Sequence, residues 1–517
     1  MDYCLVFIVG FIFSLVFRIF FIWLNRSWFK QGFQGDSSVH FAIIKQLHAN
    51  IRSRYVERYV ISPEPMSYPL GFHRFSVMLP QSLLEKKSYL PNLILFSFFS
   101  AVFLSYIHYI EDVLIGQRGI SILLISAFIF YVSISNTVFL GPSIAYLKLS
   151  ERLLARMSTA LFFMALFAGA FWTDYVSFGL SAIMGVIAIT SSIFARQAIL
   201  FTTLLMSVLW LDFRPLTVLT IVFLCALLIS RDHFIRGMKH TVMQWSIYQT
   251  HTKNSRIVQK AMSRFIDISA LMRLMKRVFG DFNSLKDIMR MLISREPTRT
   301  FFFYPEIFLL FLLLPFVSSS LNDLYMVMVP VLSTLIVYVL TSTSWFNQLG
   351  ESYRYIEYNL FFLVPFLISF FVLELTTEKK IIMLVIYGFI TLLFIMFFYR
   401  IRPRYSEHDK LKDFLDTVSL PESAVVFPVT MRLGADICAR VNCKSFWWQP
   451  GIISKSIYDD FIEEYPFLKK DFFHIFKKYD VTHVICDKQA LKTISWQYDF
   501  SQLKLLHEDR NYIAYAV

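Results

Sequence analysis

The chain has 517 residues with a formal net charge of +13, and 56% of its residues are hydrophobic against 17% charged. A mean hydropathy of +0.54 excludes an ordinary soluble protein and is typical of a polytopic membrane protein. Five cysteines are too few for a disulfide framework, and we recognise no nucleic-acid-binding module, so we expect no nucleic-acid partner.

Apolar segments long enough to cross a bilayer, roughly 17 to 20 residues, recur over residues 1–400. The first contains Arg18, lacks a basic n-region and shows no small-residue cleavage site, so we interpret it as a retained span. The sequence predicts about eleven spans, within about two. They cover approximately Tyr3–Leu24, Asn92–Ile110, Ile120–Leu140, Leu153–Trp172, Val176–Phe194, Ile199–Leu211, Leu216–Ser230, Phe301–Val317, Leu324–Leu340, Tyr358–Leu373 and Ile381–Tyr399.

The first loop, residues 25–91, is the first long polar segment. Asp36 stands at a helix N-cap position, before apolar residues at helical spacing. Farther on, the tripeptide Tyr68-Pro69-Leu70 leads into a turn with His73 and Arg74 beside the next apolar segment. The sequence therefore places a carboxylate and a cationic turn at one membrane surface.

A second polar segment, residues 231–299, carries 14 basic and 5 acidic residues, while the first loop has 9 and 4. Both flank the membrane, so anionic lipid headgroups or a phosphate-bearing lipid substrate are the expected partners. Apolar residues between Val258 and Val278 recur at helical spacing among basic ones, which predicts amphipathic helices on the membrane. A solvated linker is the alternative.

A late loop between two spans reads Gly350-Glu351-Ser352-Tyr353-Arg354-Tyr355. Glu351, Arg354 and Glu357 are spaced by three, so they share one helical face at the start of a span.

Residues 401–517 have 16 basic and 16 acidic residues and the composition of a soluble domain. Helical stretches alternate with short strand-like runs, which predicts a small α/β domain. The helices are Lys410–Asp416, Ser454–Glu464 and Lys470–Lys478, and the strands are Ala424–Val429, Val481–Cys486, Leu503–His507 and Tyr512–Val517. No catalytic signature is recognisable in it.

The two informative loops resemble those of the GT-C superfamily, polytopic glycosyltransferases that take a sugar from a polyprenyl-phosphate or polyprenyl-diphosphate carrier. The acidic motif of their first extracytoplasmic loop is matched by Gly35-Asp36, and their Tyr-Pro-Pro-like turn in part by Tyr68-Pro69-Leu70-Gly71. Their late Gly-Glu-x-x-Arg-Tyr loop resembles Gly350 to Tyr355.

The resemblance implies an inverting transferase that acts on a glycan or lipid acceptor, with Asp36 as the catalytic base. Cationic side chains are expected to bind the donor phosphate: Arg354, Arg74 and His73. Further polar side chains are expected to bind substrate: His40, Tyr68, Glu351 and Tyr353. Many relatives have a second acid where this chain has serine, so a divalent metal is possible but not favoured, and no other cofactor is expected.

Each assignment has a structural alternative. Asp36 can be an N-cap alone, Arg354 can extend its guanidinium to the membrane interface, and His40 and His73 can be ordinary polar residues. A transporter or flippase of lipid-linked saccharides would bind its cargo through the same side chains without reaction. A membrane scaffold whose tail recruits partners is a third possibility.

Arg26 and Lys30 directly follow the first span, so the positive-inside rule alone places the Asp36 loop in the cytoplasm. Both basic loops exceed the length of about 60 residues over which that rule holds. The resemblance instead predicts a multi-pass protein of the cytoplasmic (inner) membrane with an extracytoplasmic active site and tail. With eleven spans, the Asp36, basic and Arg354 loops and the tail lie on one side.

Overall fold

The computed structural model describes residues 2–24, 36–53, 58–61, 68–116, 121–139, 149–254, 304–316, 321–343, 346, 349, 352–401, 410–429, 432–446, 457, 473–489, 491, 500 and 502–517. The predicted amphipathic helices between Val258 and Val278, and the predicted helix Ser454–Glu464 apart from Ile457, lie outside these residues.

Helices dominate the part that precedes residue 402. They are α1 (Tyr3–Leu24), α2 (Asp36–Ala49), α3 (Gly71–Ser76), α4 (Gln81–Lys86), α5 (Leu90–Tyr109), α6 (Ser121–Phe139), α7 (Arg152–Trp172), α8 (Tyr175–Ser191), α9 (Ile193–Trp210), α10 (Arg214–Asn254), α11 (Pro305–Leu313), α12 (Leu321–Thr341), α13 (Tyr353–Leu360), α14 (Leu363–Glu374) and α15 (Thr377–Ile401). A π-helical turn, Ile110–Leu114, extends α5, and a 3₁₀ turn, Leu314–Phe316, extends α11.

Within the described ranges, six helices are long and apolar enough to cross a membrane: α1, α5, α7, α9, α12 and the first part of α10. The bent pair α13 and α14, which meet at 58°, makes a seventh if it counts as one span. These helices confirm the prediction of a helical, multi-pass membrane protein. The sequence predicted about eleven spans, and fewer helices among the described residues are long and apolar enough to cross a membrane. Several of the predicted spans are shorter helices.

The most central span is α7, because its most apolar window is fully buried, whereas those of α1 and α10 are 22% and 28% buried. Small residues such as Ala160 and Gly169 let neighbouring helices approach α7 closely. The outward faces of α1 and α10 carry apolar side chains such as Ile12 and Leu228, as a lipid-facing surface does.

The segments that connect the helices lie at two opposite ends of the bundle. At one end, the Tyr109 hydroxyl donates to Asp174 at 3.1 Å and the Trp210 indole donates to the Met326 carbonyl at 3.0 Å. At the other end, α3 packs on the end of α8. The first loop, the start of α13 and the C-terminal domain therefore lie at the same end of the bundle.

The C-terminal domain is built on a five-stranded sheet of order β2-β1-β3-β5-β4. The strands β2, β1 and β3 are parallel, and β5 pairs antiparallel with β3 and β4. Its elements are α16 (Lys410–Val418), β1 (Val425–Val429), α17 (Arg432–Arg440), β2 (Lys444–Ser445), α18 (Phe473–Lys478), β3 (His483–Asp487), β4 (Lys504–Glu508) and β5 (Tyr512–Ala516). The α/β prediction and its four strands are confirmed, while α17 and β2 were not predicted.

The C-terminal domain docks on the first loop through backbone and side-chain contacts. Val60 pairs in parallel with Ser445, and the Ser445 amide donates to the Tyr59 carbonyl at 3.0 Å, which extends the sheet by a short segment of the loop. Lys45 of α2 donates to the Cys438 carbonyl of α17 at 3.1 Å. The first loop is therefore held by the C-terminal domain on one side.

Helix α2 is held between the two parts of the protein because its two faces are both apolar. Val39, Ile43 and Leu47 pack into a core shared with the C-terminal domain, whereas Phe41 and Ile44 pack into the core of the helical bundle. The spacing of four residues on the first face is that of one helical stripe. This double contact determines where the residues at the start of α2 lie.

Candidate functional site

Three buried side chains and the half-buried Glu151 meet beside α2, and we call His40, Tyr68, His73 and Glu151 the histidine cluster. Nε2 of His40 lies 2.5 Å from Oε2 of Glu151, and Nδ1 of His40 lies 2.9 Å from Nε2 of His73. The Tyr68 hydroxyl donates to the other Glu151 oxygen at 3.1 Å. The cluster joins the first loop to the start of the central helix α7.

Hydrogen positions in the cluster follow from the chemistry of its acceptors. An ionised carboxylate only accepts, so Nε2 of His40 carries the hydrogen that lies toward Glu151. A single hydrogen is then needed between Nδ1 of His40 and Nε2 of His73. The result is a continuous line of proton-sharing groups from Glu151 through His40 to His73.

The pKa shifts of His73 and Glu151 agree with this chain of proton-sharing groups. Burial, and secondarily the charge of His40, lower the pKa of His73 from 6.5 to about 3, so His73 is neutral near pH 7. Burial acts to raise the pKa of Glu151, but the charge of His40 and the hydrogen bond from it outweigh burial and hold that pKa below its usual range. Glu151 is therefore ionised and matched by a partner.

Helix α13, which carries Arg354, also lies near the histidine cluster. Helix α13 packs on α7, and the buried hydroxyl of Tyr358 lies within electrostatic range of Arg354, Arg152 and Glu151. No hydrogen-bond partner for that hydroxyl is found among the described side chains. Two arginines and two carboxylates, Glu151 and Glu357, thus lie within electrostatic range of the Tyr358 phenol near the histidine cluster.

The structure places the sequence-predicted residues of the first loop in different environments. Asp36 is the first residue of α2, one turn before His40 and on the same helical face, while its side chain lies outside what the structure describes. His40, Tyr68 and His73 come together in the histidine cluster, and their substrate- and phosphate-binding roles stay predictions. Arg74 is exposed, unlike the buried His73 beside it.

The residues predicted in the late loop are partly described. Arg354 is half-buried in the first turn of α13, and its guanidinium carbon lies 5.3 Å from the centre of the Phe194 ring. Tyr353 is the first residue of α13 and is also half-buried. Glu351 lies outside the described residues. The donor-phosphate role of Arg354 stays a prediction.

Sequence reasoning missed Glu151 and Tyr358. Glu151 directly precedes a span and is followed by Arg152, and adjacent opposite charges at a span boundary are the signal that could have marked it. Tyr358 carried no such signal, since a tyrosine inside an apolar segment is common. Where side chains are described, no group of three or more His, Cys, Asp or Glu residues could hold a metal ion.

No model of a known protein family matches this chain, and no curated protein matches its sequence. The functional argument therefore rests on the residues and their arrangement.

Proposed function

We propose that the protein is an integral-membrane glycosyltransferase that moves a sugar from a polyprenyl-phosphate or polyprenyl-diphosphate donor to a glycan or lipid acceptor. Its active site would lie at the end of the bundle that carries α2, the start of α13 and the C-terminal domain. In this proposal the chain crosses the cytoplasmic membrane about eleven times, and that end is extracytoplasmic.

The observation that carries the proposal is the meeting of two distant loops at the start of α7. Glu151 touches His40 and Tyr68 of the first loop, and it lies, like Arg354, within electrostatic range of Tyr358. The two segments are more than 250 positions apart in the chain. A base on one and a phosphate ligand on the other would therefore face the same substrate.

Glycosyl transfer needs a base for the acceptor hydroxyl and positive charge for the departing phosphate. In this proposal Asp36, one turn from His40 on α2, serves as the base. Arg354 supplies a planar guanidinium that can hold two phosphate oxygens. Attack by the acceptor on the face opposite the departing phosphate would invert the anomeric centre.

The histidine cluster would position these groups without reacting itself. Glu151 and His73 each bond one nitrogen of the His40 ring, Tyr68 donates to Glu151, and His40 follows Asp36 by one turn of α2. Because the His40 ring is bonded at both nitrogens, it restricts the movement of the second turn of α2. Preorganised geometry of this kind lowers the barrier because little is left to rearrange in the transition state.

The decisive substitution is Asp36→Asn, because asparagine caps a helix about as well as aspartate but cannot take the acceptor proton. We expect transfer of sugar from a radiolabelled lipid-linked donor to fall by about 10² to 10⁴ while donor binding is retained. Near-normal transfer by this variant would contradict the assignment. Movement of label across the membrane without formation of a glycosidic bond would instead identify a transporter.

A matched control exists at the opposite end of the bundle. Asp174 caps α8, where its side chain accepts from the backbone amides of Val176 and Ser177 at 3.3 and 2.8 Å. Asp174→Asn makes the same chemical change at a helix start outside the proposed site. We expect transfer by this variant to match that of the unmodified protein.

The orientation can be tested with single cysteines in a background without native cysteines. Met78 on the first-loop side and Leu506 in β4 are exposed, as is Leu211 at the other end of the bundle. An impermeant thiol reagent added to sealed cells should label Met78→Cys and Leu506→Cys but not Leu211→Cys. The reverse pattern would place the site in the cytoplasm.

A further inference from the structure

A buried cation lies where α8, α9 and α10 meet, apart from the histidine cluster. Arg196 belongs to the first turn of α9 and is 3% exposed. Its guanidinium carbon lies 5.1 Å from the centre of the Phe234 ring of α10. The guanidinium also meets Gly237 of α10, where an added Cβ atom would lie 2.7 Å from Nη1 of Arg196. We call Arg196, Phe234 and Gly237 the arginine notch.

The hydrogen bonds of Arg196 use only part of its guanidinium. Nε donates to the Ile189 carbonyl in the last turn of α8 at 2.6 Å. Nη1 is buried and has no hydrogen-bond partner among the groups that the structure describes. Leaving a buried charged donor unpaired is costly, so this nitrogen is suited to a ligand that accepts hydrogen bonds.

The positive charge of Arg196 is also unmatched. Within the described part of the chain, no carboxylate pairs with it and no other charged group lies within electrostatic range of it. The first turn of α9 adds to the positive potential, because the N-terminal end of a helix dipole is positive, while the Ile189 carbonyl at the end of α8 offsets part of it. A net positive charge remains, and a buried charge is stable only when it is paired.

The arginine notch lies where the surface of α10 changes from apolar to basic. Leu228 and Ile229, at the end of the membrane span, are 83% and 70% exposed. Beyond the break in helical geometry at Ser230, the cations Arg231 and Lys239 are exposed. Apolar residues followed by basic ones mark the boundary between membrane and water, where the phosphates of lipid headgroups lie.

We propose that the arginine notch binds the phosphate group of an anionic membrane lipid through the Arg196 guanidinium. A phosphate supplies both the negative charge and the hydrogen-bond acceptors that Arg196 lacks, and a planar guanidinium can donate to two of its oxygens. The exposed Arg231 and Lys239 attract anionic lipids to the same boundary. This site is separate from the proposed donor site at Arg354 and does not depend on the proposed glycosyl transfer.

The affinity of the full-length protein for phosphatidylglycerol tests the proposal. Native mass spectrometry of the protein in detergent micelles, with the lipid added in steps, measures the dissociation constant of the most tightly bound lipid. We expect Arg196→Gln to weaken this binding about ten- to a hundred-fold, because a charged hydrogen bond is lost. Gly237→Ala should weaken it too, since the new Cβ atom displaces Nη1, the end of a flexible side chain that can move without unfolding the protein.

Two variants and two ligands serve as controls. Gly179→Ala adds the same methyl group at an exposed position of α8 where nothing lies within 4 Å, and Arg214→Gln removes a cation at the opposite end of the bundle. Both variants should bind phosphatidylglycerol as the unmodified protein does. Phosphatidylcholine, which has a phosphate but no net charge, should bind the unmodified protein more weakly, and inorganic phosphate equimolar with the lipid should not displace phosphatidylglycerol.

Unchanged affinity for phosphatidylglycerol in Arg196→Gln overturns the proposal and leaves Arg196 with the sole role of capping α8. If that variant does not fold, unchanged affinity in Gly237→Ala overturns the proposal in the same way. Equal affinity of the unmodified protein for the anionic and the uncharged lipid, or displacement of the lipid by inorganic phosphate, overturns the assignment to an anionic lipid.

Discussion

The histidine cluster and the buried Glu306 at the start of α11 offer two carboxylates with different surroundings. Oε2 of Glu151 lies 2.5 Å from Nε2 of His40, and its other oxygen accepts from the Tyr68 hydroxyl. Oε2 of Glu306 has no hydrogen-bond partner among the groups that the structure describes. The Glu151 side chain is 12% exposed and Glu306 is 6% exposed, so both are shielded from most water.

The comparison teaches that burial alone does not assign a role to an ionisable residue. The contacts of Glu151 hold the His40 ring and fit a positioning role. Glu306 has no such contact at Oε2 among the described groups, so its burial by itself gives it no role in the proposed transfer.

The largest expected effect contrasts the same substitution at the two carboxylates. Glu151→Gln removes the charged partner of His40, and breaking a buried ion pair costs about 3 to 5 kcal/mol of unfolding free energy. Glu306→Gln breaks no hydrogen bond of Oε2 to a described group and hardly changes the side-chain volume, so it should cost less than about 1.5 kcal/mol. Thermal unfolding of the two purified variants at pH 7 measures the contrast. Equal or reversed destabilisation would remove the distinction between the two carboxylates.

A smaller effect concerns Arg354 at the edge of the histidine cluster. Arg354→Ala should weaken binding of the lipid-phosphate donor by about 1.5 to 3 kcal/mol, roughly ten- to a hundred-fold, because a charged hydrogen bond is lost. Arg354→Lys should restore binding only in part, because lysine lacks the planar fork. Donor affinity is read from equilibrium binding of the labelled lipid.

The control for this prediction is Arg214→Ala. Arg214 is bonded to Asp212 at 2.7 Å at the opposite end of the bundle, so its loss should leave donor affinity unchanged. Unaltered donor affinity in a correctly folded Arg354→Ala protein would count against the phosphate role and would separate α13 from the histidine cluster in function.

The smallest effect is a pH dependence of stability that arises from His73. Its pKa is about 3 in the folded protein and 6.5 when exposed, so between these values the unfolded state binds more protons. The free energy of unfolding should therefore fall by about 1.4 kcal/mol for each pH unit from about 6.5 downward. Glu151, whose folded pKa is depressed, adds to the loss below about pH 4.5.

Urea unfolding of the full protein between pH 7 and 5 measures this slope. His73→Gln cannot take up a proton, so the change in its unfolding free energy should be smaller by about 1.4 kcal/mol for each pH unit. His474→Gln, at an exposed position on α18, should keep it. An identical slope in His73→Gln and the unmodified protein would show that the buried ring does not control acid stability.

Much of the fold could be predicted because hydrophobic length and alternation are local properties. The ranges of α1 and α7 agree with the predicted spans to within a residue, and the four predicted strands begin and end within two residues of those observed. β2 was missed because two residues are too short for a periodic signal. Helix α17 was not predicted, although Leu433, Ile437 and Arg440 have helical spacing, because nine residues with few apolar side chains give a weak periodic signal.

The candidate site could be predicted only in part. His40, Tyr68 and His73 stand close in sequence to an acidic motif, so a local interpretation selected them. Glu151 is separated from Tyr68 by two predicted helices, and its role depends on which end of α7 meets the first loop. A motif carries no information on that packing, so the central carboxylate was not selected.

The amino-acid sequence by itself determined the class of molecule, because long apolar segments can satisfy their backbone hydrogen bonds in lipid only as helices. It also determined the strand positions of the C-terminal domain, where side chains alternate along short runs. Only the tertiary structure decided that α2 lies between the bundle and that domain, and that Glu151 meets His40 while Oε2 of Glu306 meets no hydrogen-bond partner among the described groups. These depend on side chains from distant segments, which become neighbours only when the helices pack.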